Sequence, residues 1–536
     1  MNFRSIIRMF FVLVVFFGGL RSVKAQQTEA TPIPEDLLTV AEASQYEATS
    51  TSAEVNRFLA ACDARAEHVT QFEYGRTSRD QPMTGIVIAS SAVTAPPKDD
   101  RLVVLLLGNI HSGECDGKEA LLMLARELTL NPNHPWLQKL IIVMAPNYNA
   151  DGNDNMAPDN RPGQIGPLRG MGKRETAQGF DLNRDFMKLE TPEGRALVRL
   201  IDRWNPHVFI DCHTTNGSIH RYPLTYDIAH NPAVASELRD YLRNTMMPEV
   251  TRSMKSAGVD TFYYGNFSMD YTRWETYGFE PRYSIEYLAL RGRIGILSES
   301  YSYTDYKTRI DVTREFVRRC LDFTVQDSDR IAALLTSMEK GFVEVAATKP
   351  SDLQIAVDAQ MAPFDRKEVV LGRLPNSETP KDYEVEFWGN FQPKHSVPLP
   401  WAYVIPAEES KVLANLQAHG IHVEQLQKSV KAKVRIQTVA SSRRNARAFQ
   451  GHNLVTVTAN SREEERELPA GTLIVRTAQP LGRVAVWLLE PTSVDGLTTW
   501  NFFDHALKEG SDFPVMSIGD PSSLPLVKVA APDTSR

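Results

Sequence analysis

Five short apolar runs constrain this chain more than any other feature. They are Met83 to Ser90 (MTGIVIAS), Leu102 to Leu107 (LVVLLL), Leu140 to Ala145 (LIIVMA), His207 to Ile210 (HVFI) and Ile294 to Leu297 (IGIL). Each is bounded and rich in Val, Ile or Leu, the pattern of strands buried on both faces. Between them, Lys118 to Leu128, Glu193 to Trp204 and Thr308 to Leu335 space their apolar residues by three and four, the period of helices. Alternating strands and helices specify an α/β fold with a mixed, mainly parallel central sheet flanked by helices. We place it at residues 38–342, with an early helix over Val55 to Ala64.

From Val343 onward the texture changes. Glu368 to Leu371, Tyr383 to Phe387, Lys433 to Val439, Leu454 to Val457, Thr472 to Val475 and Val484 to Leu488 read as strands, punctuated by Pro, Gly and Asn, with one helix over Glu408 to His419. Residues 343–536 are therefore expected to form a smaller β-rich domain. The length supports two domains, since a single core stops growing near ~250–300 residues and this chain has 536.

Residues 1–25 read separately. Arg4 and Arg8 precede the apolar core Met9 to Leu20, and Val23-Lys24-Ala25 is a small-x-small site, the layout of a signal peptide cleaved after Ala25. Export to the periplasm or exterior is expected, with no membrane span left after cleavage. Losing four Lys/Arg and no acid takes the formal charge from −7 to −11, which excludes a nucleic-acid binder. Four cysteines, none in a CxxC pair, are too few for a disulfide scaffold and argue against a thiolate zinc site. The oligomeric state is left open by the sequence.

Ligand sites in open α/β sheets collect beyond the carboxyl ends of the strands. LVVLLL runs into Gly108-Asn109-Ile110-His111-Ser112-Gly113-Glu114, HVFI into Asp211-Cys212-His213, IGIL into Ser298-Glu299, and LIIVMA into Pro146-Asn147-Tyr148-Asn149. Two imidazoles and a carboxylate are a donor set of catalytic zinc, which leaves one coordination position open. His111, Glu114 and His213 match it, with Glu299 free as general base for a water attacking a carbonyl. Taken singly, each piece reads as an ordinary loop or buried polar residue. Their conjunction at strand ends points to a hydrolytic metal site.

The segment RETAQGFDLNRDF, Arg174 to Phe186, resembles the R-x-x-A-x-G-x-D-x-N-R segment of the zinc metallocarboxypeptidases, the M14 peptidase family. HSGE is similar to that family's first zinc motif, DCHTT to its later zinc histidine, ILSES to the strand ending in its catalytic glutamate, and NYNADGND to its N-P-D-G loop with Ala in place of Pro. The five follow the family's order over about residues 80 to 310.

The resemblance implies one zinc on His111, Glu114 and His213, with Glu299 as general base. It further implies that Asn183 and Arg184 hold the substrate's terminal carboxylate, and that Arg174 stabilises the oxyanion. The residue types agree, because a guanidinium forks onto a carboxylate with two hydrogen bonds. The plainer reading of Asn183-Arg184 is a loop salt bridge to Asp181 or Asp185. Among Tyr271, Tyr277, Tyr283 and Tyr287, Tyr277 is the preferred residue to close over the substrate. Arg282 and Arg291 are read either as contacts for an acidic substrate group or as solvent-facing. Cys115 and Cys212 adjoin proposed ligands and are read as two buried thiols, with a disulfide as the alternative.

The expected function is an exported zinc carboxypeptidase acting on the C-terminus of a peptide or protein. The alternatives are a zinc amidase acting on cell-wall peptides or acylated amino acids, and an inactive relative that binds peptides or glycans.

Overall fold

The computed structural model of the chain describes residues 32–215, 217 and 219–529. The expected signal peptide, residues 1–25, lies outside them. The chain divides after Glu35, and Asp36 onward forms one compact unit. Among the described residues, no helix is long and apolar enough to cross a membrane.

Among the described residues, ten strands precede residue 301: β1 (Val69–Arg76), β2 (Pro82–Ile88), β3 (Leu102–Gly108), β4 (Leu140–Ala145), β5 (Val208–Thr214), β6 (Leu224–Ile228), β7 (Thr261–Tyr263), β8 (Asn266–Phe267), β9 (Arg273–Glu275) and β10 (Ile294–Ser300). Eight of them form one sheet in the order β1-β2-β4-β3-β5-β10-β6-β7. The central strands β4, β3, β5 and β10 run parallel. β1 and β2 join antiparallel at one edge, and β6 pairs antiparallel with β10. The sheet is thus mixed and mainly parallel.

The apolar runs are continuous because successive side chains enter opposite cores. Val103, Leu105 and Leu107 of β3 enter one core with Ile141, Val143 and Ala145 of β4. Leu102, Val104 and Leu106 enter the other with Leu140, Ile142 and Met144. Helices Ser52–Arg65, Asp116–Leu130 and Tyr306–Gln326 cover the second core, and helices Pro192–Trp204 and Ser284–Leu290 cover the first. Thr51 and Glu54 form a capping box at the start of Ser52–Arg65, and Asn205, at φ +39°, ends Pro192–Trp204. Both devices satisfy backbone groups that a helix end otherwise leaves unpaired.

Beyond Thr348, β11 (Gln354–Arg373) and β12 (Pro380–Pro398) form a long hairpin that continues through β9 to β8. β13 (Ala402–Ile405), β14 (Glu424–Leu426), β15 (Val430–Arg444), β16 (Val455–Leu468), β17 (Leu473–Arg476), β18 (Met516–Ile518) and β19 (Leu526–Lys528) build a seven-stranded sheet. The core beneath β3 runs on into this region, taking in Leu399, Tyr403, Ile405 and the segment from Val484 to Leu489.

Two expectations are corrected. Val484 to Leu488 lies in a helix, Gly482–Leu489, and not in a strand. An apolar run this short has the same signature in a buried helix as in a buried strand, and here residues 484–489 are all buried. The single helical pattern Thr308 to Leu335 is two helices, Tyr306–Gln326 and Ser328–Thr348, separated at Asp327.

Three histidines, His220 and His419 buried and His207 half-buried, give the fold a pH dependence. Burial pushes the pKa of His207 down to about 4 and those of His220 and His419 down to about 3. Each offers one ring nitrogen as an acceptor: to the backbone N–H of Val103, to that of Tyr222, and to the Tyr287 hydroxyl, respectively. They stay neutral when folded, whereas in the unfolded chain they bind protons below pH ~6.5. Stability is therefore complete above about pH 7 and falls as pH drops from ~6.5 toward the folded values. By pH 5 each histidine removes about 2 kcal/mol. Urea unfolding followed between pH 7.5 and 5 should show a falling midpoint, and a flat profile would contradict this account.

Candidate metal and peptide site

Relative to β3, the chain places β4 on one side and β5 on the other, so β3 and β5 flank a topological switch point. Such a point opens a crevice at the carboxyl ends of the strands. His111 and Glu114 follow β3, His213 lies near the end of β5, and Glu299 lies near the end of β10. His213 and Glu299 are direct neighbours in the parallel register.

The turn after β3 is held from beneath. Asn109 takes a left-handed φ of +65°, and its amide donates to Asn147 at 2.7 Å and Asn153 at 3.0 Å. The Ser112 hydroxyl donates to the Asn149 carbonyl at 2.7 Å. NYNADGND therefore acts as a bed for HSGE, whose turn closes with the Glu114 N–H donating to the His111 carbonyl at 2.8 Å. Gly113 leaves room for an arginine: a Cβ there would lie 2.4 Å from Arg161 Cδ.

Among the described residues, one group of at least three His, Cys, Asp or Glu side chains is placed to hold a metal ion. It is His111, Glu114 and His213, with donor atoms within 4.8 Å of one another. His111 Nδ1 lies 3.1 Å from Glu114 Oε1, and His213 Nδ1 lies 2.9 Å from Glu114 Oε2. Each imidazole turns its other nitrogen to a buried aspartate: His111 Nε2 is 3.0 Å from Asp181, and His213 Nε2 is 2.9 Å from Asp211. Carboxylates in that position fix the ring orientation and leave Nδ1 free as a donor to a metal.

The electrostatics are steep. Burial opposes the charge on Glu114, but His111, Arg161 and the hydrogen bonds from both histidines hold its pKa well below the usual carboxylate range. Burial likewise opposes protonation of His213, and Asp211 and Glu114 outweigh it, raising the pKa well above the ordinary imidazole value. Glu299 is pushed up to about 8 by burial, with His213 opposing and Glu114 adding to the rise. Its buried Oε2 has no hydrogen-bond partner among the described residues.

His111, Glu114, Arg174, Asn183, Arg184, His213, Tyr277 and Glu299 all line one cavity of about 180 Å³. Arg174 donates through Nε and Nη2 to Asp181 Oδ2 at 3.1 and 2.9 Å. Arg184 stacks over the Tyr283 ring at 4.5 Å, with its nearest carboxylate, Asp181, 3.9 Å away. Asn183 Oδ1 accepts from the Ser284 N–H at 2.8 Å. Of the four tyrosines, Tyr277 and Tyr283 reach the cavity. Tyr287 is buried against His419, and Tyr271 stacks on Tyr383. The buried hydroxyl of Tyr277 has no partner among the described residues.

Arg282 and Arg291 are neither substrate contacts nor solvent-facing: Arg282 pairs with buried Asp495 at 3.0 Å, and Arg291 with Asp202 at 3.1 Å. Cys115 and Cys212 are buried and unpaired.

Sequence reasoning missed three contributors. Arg161 donates to Glu114 Oε1 at 2.7 Å and to the Thr214 carbonyl at 3.1 Å, out of a Pro/Gly-rich stretch that reads as a turn. Asp211 stands two residues before His213, at the spacing that keeps both on one face of β5, and that spacing was the available signal. Tyr264 lines the cavity from a segment with no motif.

The family model described as "Zinc carboxypeptidase" matches residues 55–315. Carboxypeptidase 2 of Trichophyton tonsurans is 23% identical over 462 residues, covering 80% of this chain and 79% of its own. Carboxypeptidase 2 of Trichophyton rubrum is 22% identical over 469 residues, with the same coverage. A metallo-carboxypeptidase from Burkholderia cenocepacia of known structure aligns at 15% identity and a TM-score of 0.38, over 52% of this chain and 70% of its own. Residues 55–315 thus match the zinc carboxypeptidase model Peptidase_M14, and carboxypeptidases are relatives over most of the chain, so both comparisons support a metallopeptidase hydrolase.

Proposed function

We propose that this chain is an exported zinc carboxypeptidase that removes the last residue of a peptide or protein. In this reading residues 1–25 are a signal peptide cleaved after Ala25, residues 38–342 the catalytic domain and residues 343–536 a β-rich domain. The observation that carries it is one small cavity shared by the His111, Glu114 and His213 donors, an unpartnered buried carboxylate at Glu299, and two arginines.

The donor set fits zinc: two imidazoles, each with an aspartate at its other nitrogen, and one carboxylate. Held by His111, Glu114 and His213, zinc would supply a Lewis acid for the scissile carbonyl and lower the pKa of Glu299 and of nearby water.

The remaining work falls to this chain's own side chains. The terminal carboxylate docks on Arg184 and the Asn183 amide, which sets the last peptide bond beside Glu299. Glu299 takes a proton from the attacking water and returns it to the departing amine nitrogen, so the bond breaks without expelling an amide anion. Arg174, held in place by Asp181 and with Nη1 3.5 Å from Glu114 Oε1, keeps its positive charge beside the metal donors, where it stabilises the oxygen that gains charge. Tyr277 and Tyr283 close the cavity around the docked residue.

The side chain of the terminal residue meets Tyr264, Tyr277, Ile285 and Leu297. An apolar residue fits that lining better than a charged one, which would lose its hydration without gaining a partner. In a panel of peptides varied at the last position, those ending in Leu or Phe should be processed at least tenfold faster in kcat/KM than those ending in Lys or Glu. Faster release of charged residues would overturn this assignment.

A further inference from the structure

The family model ends at residue 315, yet the β-rich region beyond it touches the carboxylate-recognition segments on both sides of Arg184. Between β15 and β16, Phe449-Gln450-Gly451-His452 makes a tight turn, in which the N–H of Phe449 donates to the His452 carbonyl at 2.8 Å and the N–H of His452 donates back at 3.0 Å. Its central residues have φ of +51° and +81°, the primed geometry that favours Asn or Asp at the first position and Gly at the second. Gln450 is thus an unfavourable residue for its backbone conformation. Its side chain reaches out of the turn, and Gln450 Oε1 accepts the backbone N–H of Asp181 at 2.8 Å.

Asp181 is the hub of this side of the site. One carboxylate oxygen takes His111 Nε2 and the Asn183 N–H, and the other takes Arg174. The turn is pinned next to this contact, where His452 Nε2 meets Glu190 at 2.8 Å and Gly451 packs on Phe180.

A second contact grips the other wall. Buried Asp495 accepts the Arg282 N–H at 2.7 Å, its side chain pairs with Arg282 Nε at 3.0 Å, and the Trp500 indole donates to it at 2.8 Å. Arg282 is followed by Tyr283, on which Arg184 stacks, and by Ser284, whose N–H holds Asn183.

We propose that Gln450 and Asp495 are positioning residues for recognition of the terminal carboxylate, so the β-rich region completes the peptide-binding site. This rests on the carboxypeptidase reading above. Neither residue touches substrate. Each fixes a backbone segment, Asp181 to Arg184 or Arg282 to Ser284, whose side chains do.

The test uses the full-length zinc-loaded protein with free-acid peptides. Gln450→Asn suits the turn at least as well as Gln but is too short to reach Asp181, so the variant should fold with an unchanged or higher melting temperature. Its KM should rise about tenfold while kcat falls less than threefold. Gln450→Glu, which keeps an acceptor of the same length, should restore KM to within threefold of wild type. Asp495→Asn, which leaves Arg282 without its charge partner, should move KM the same way.

An unchanged KM in Gln450→Asn, or a fall in kcat alone, would overturn the proposal. So would a Gln450→Glu variant as impaired as Gln450→Asn. Wild-type protein that releases no terminal residue would instead overturn the carboxypeptidase reading, which keeps the two failures distinct.

Discussion

Replacing Glu299 by Gln should reduce peptide hydrolysis about a thousandfold, nearly all of it in kcat, with metal content and fold unchanged. The size follows from removing a general acid–base, whose contribution is typically 10²–10⁴-fold. It corresponds to about 4 kcal/mol of barrier. Two observations make the substitution clean. Oε2 of Glu299 has no hydrogen-bond partner among the described residues, and Gln has nearly the same shape. Burial already pushes the Glu299 pKa up to about 8, so a neutral side chain suits this position, and thermal stability should hold or rise. Steady-state kinetics, metal analysis and a melting curve on one preparation check all three expectations. A variant retaining more than a tenth of wild-type kcat would remove Glu299 from its proposed role.

Stripping the metal should have an effect of at least the same size. Dialysis against a chelator should lower activity a thousandfold or more, since a Lewis acid contributes several kcal/mol. One equivalent of zinc should restore it. Metal-free protein should also melt at a lower temperature, because a ligand that binds only the folded chain adds about 4 kcal/mol at a thousand times its Kd. His213→Ala should mimic the chelated enzyme and resist rescue, because it removes a donor and leaves Asp211, already bound to the Ser284 hydroxyl, without its imidazole. Full activity in chelated protein would contradict the donor set.

Much of this site was legible in the sequence for a physical reason. A strand buried on both faces is apolar along most of its length, so the first polar residues after LVVLLL, HVFI and IGIL mark the carboxyl-terminal part of each strand or the turn beyond it, where a parallel sheet opens its crevice. His111, His213 and Glu299 were found that way, and the cavity holds all of them together with Arg174, Asn183, Arg184 and Tyr277. Short runs deeper in the chain gave no such contrast. Val484 to Leu488 is uniformly apolar because its helix is buried all round, and eight residues are too few for its period to separate helix from strand.

The contributors that escaped are those whose role depends on long-range approach. Arg161 reaches Glu114 across 47 positions and Gln450 reaches Asp181 across 269. Nothing local in DNRPG or AFQGH encodes either contact. Arg282 illustrates the converse: near the site in sequence and of the right type for a carboxylate, it is committed to Asp495.

The most direct test of the central claim is the mass spectrum of one peptide presented in two forms, free acid and C-terminal amide, to zinc-loaded protein. With Arg184 and Asn183 anchoring a terminal carboxylate, the free acid should lose a single residue from its C-terminus, and the amide should be processed at least a hundredfold more slowly. Internal cleavage, or equal rates on the two forms, would contradict the account.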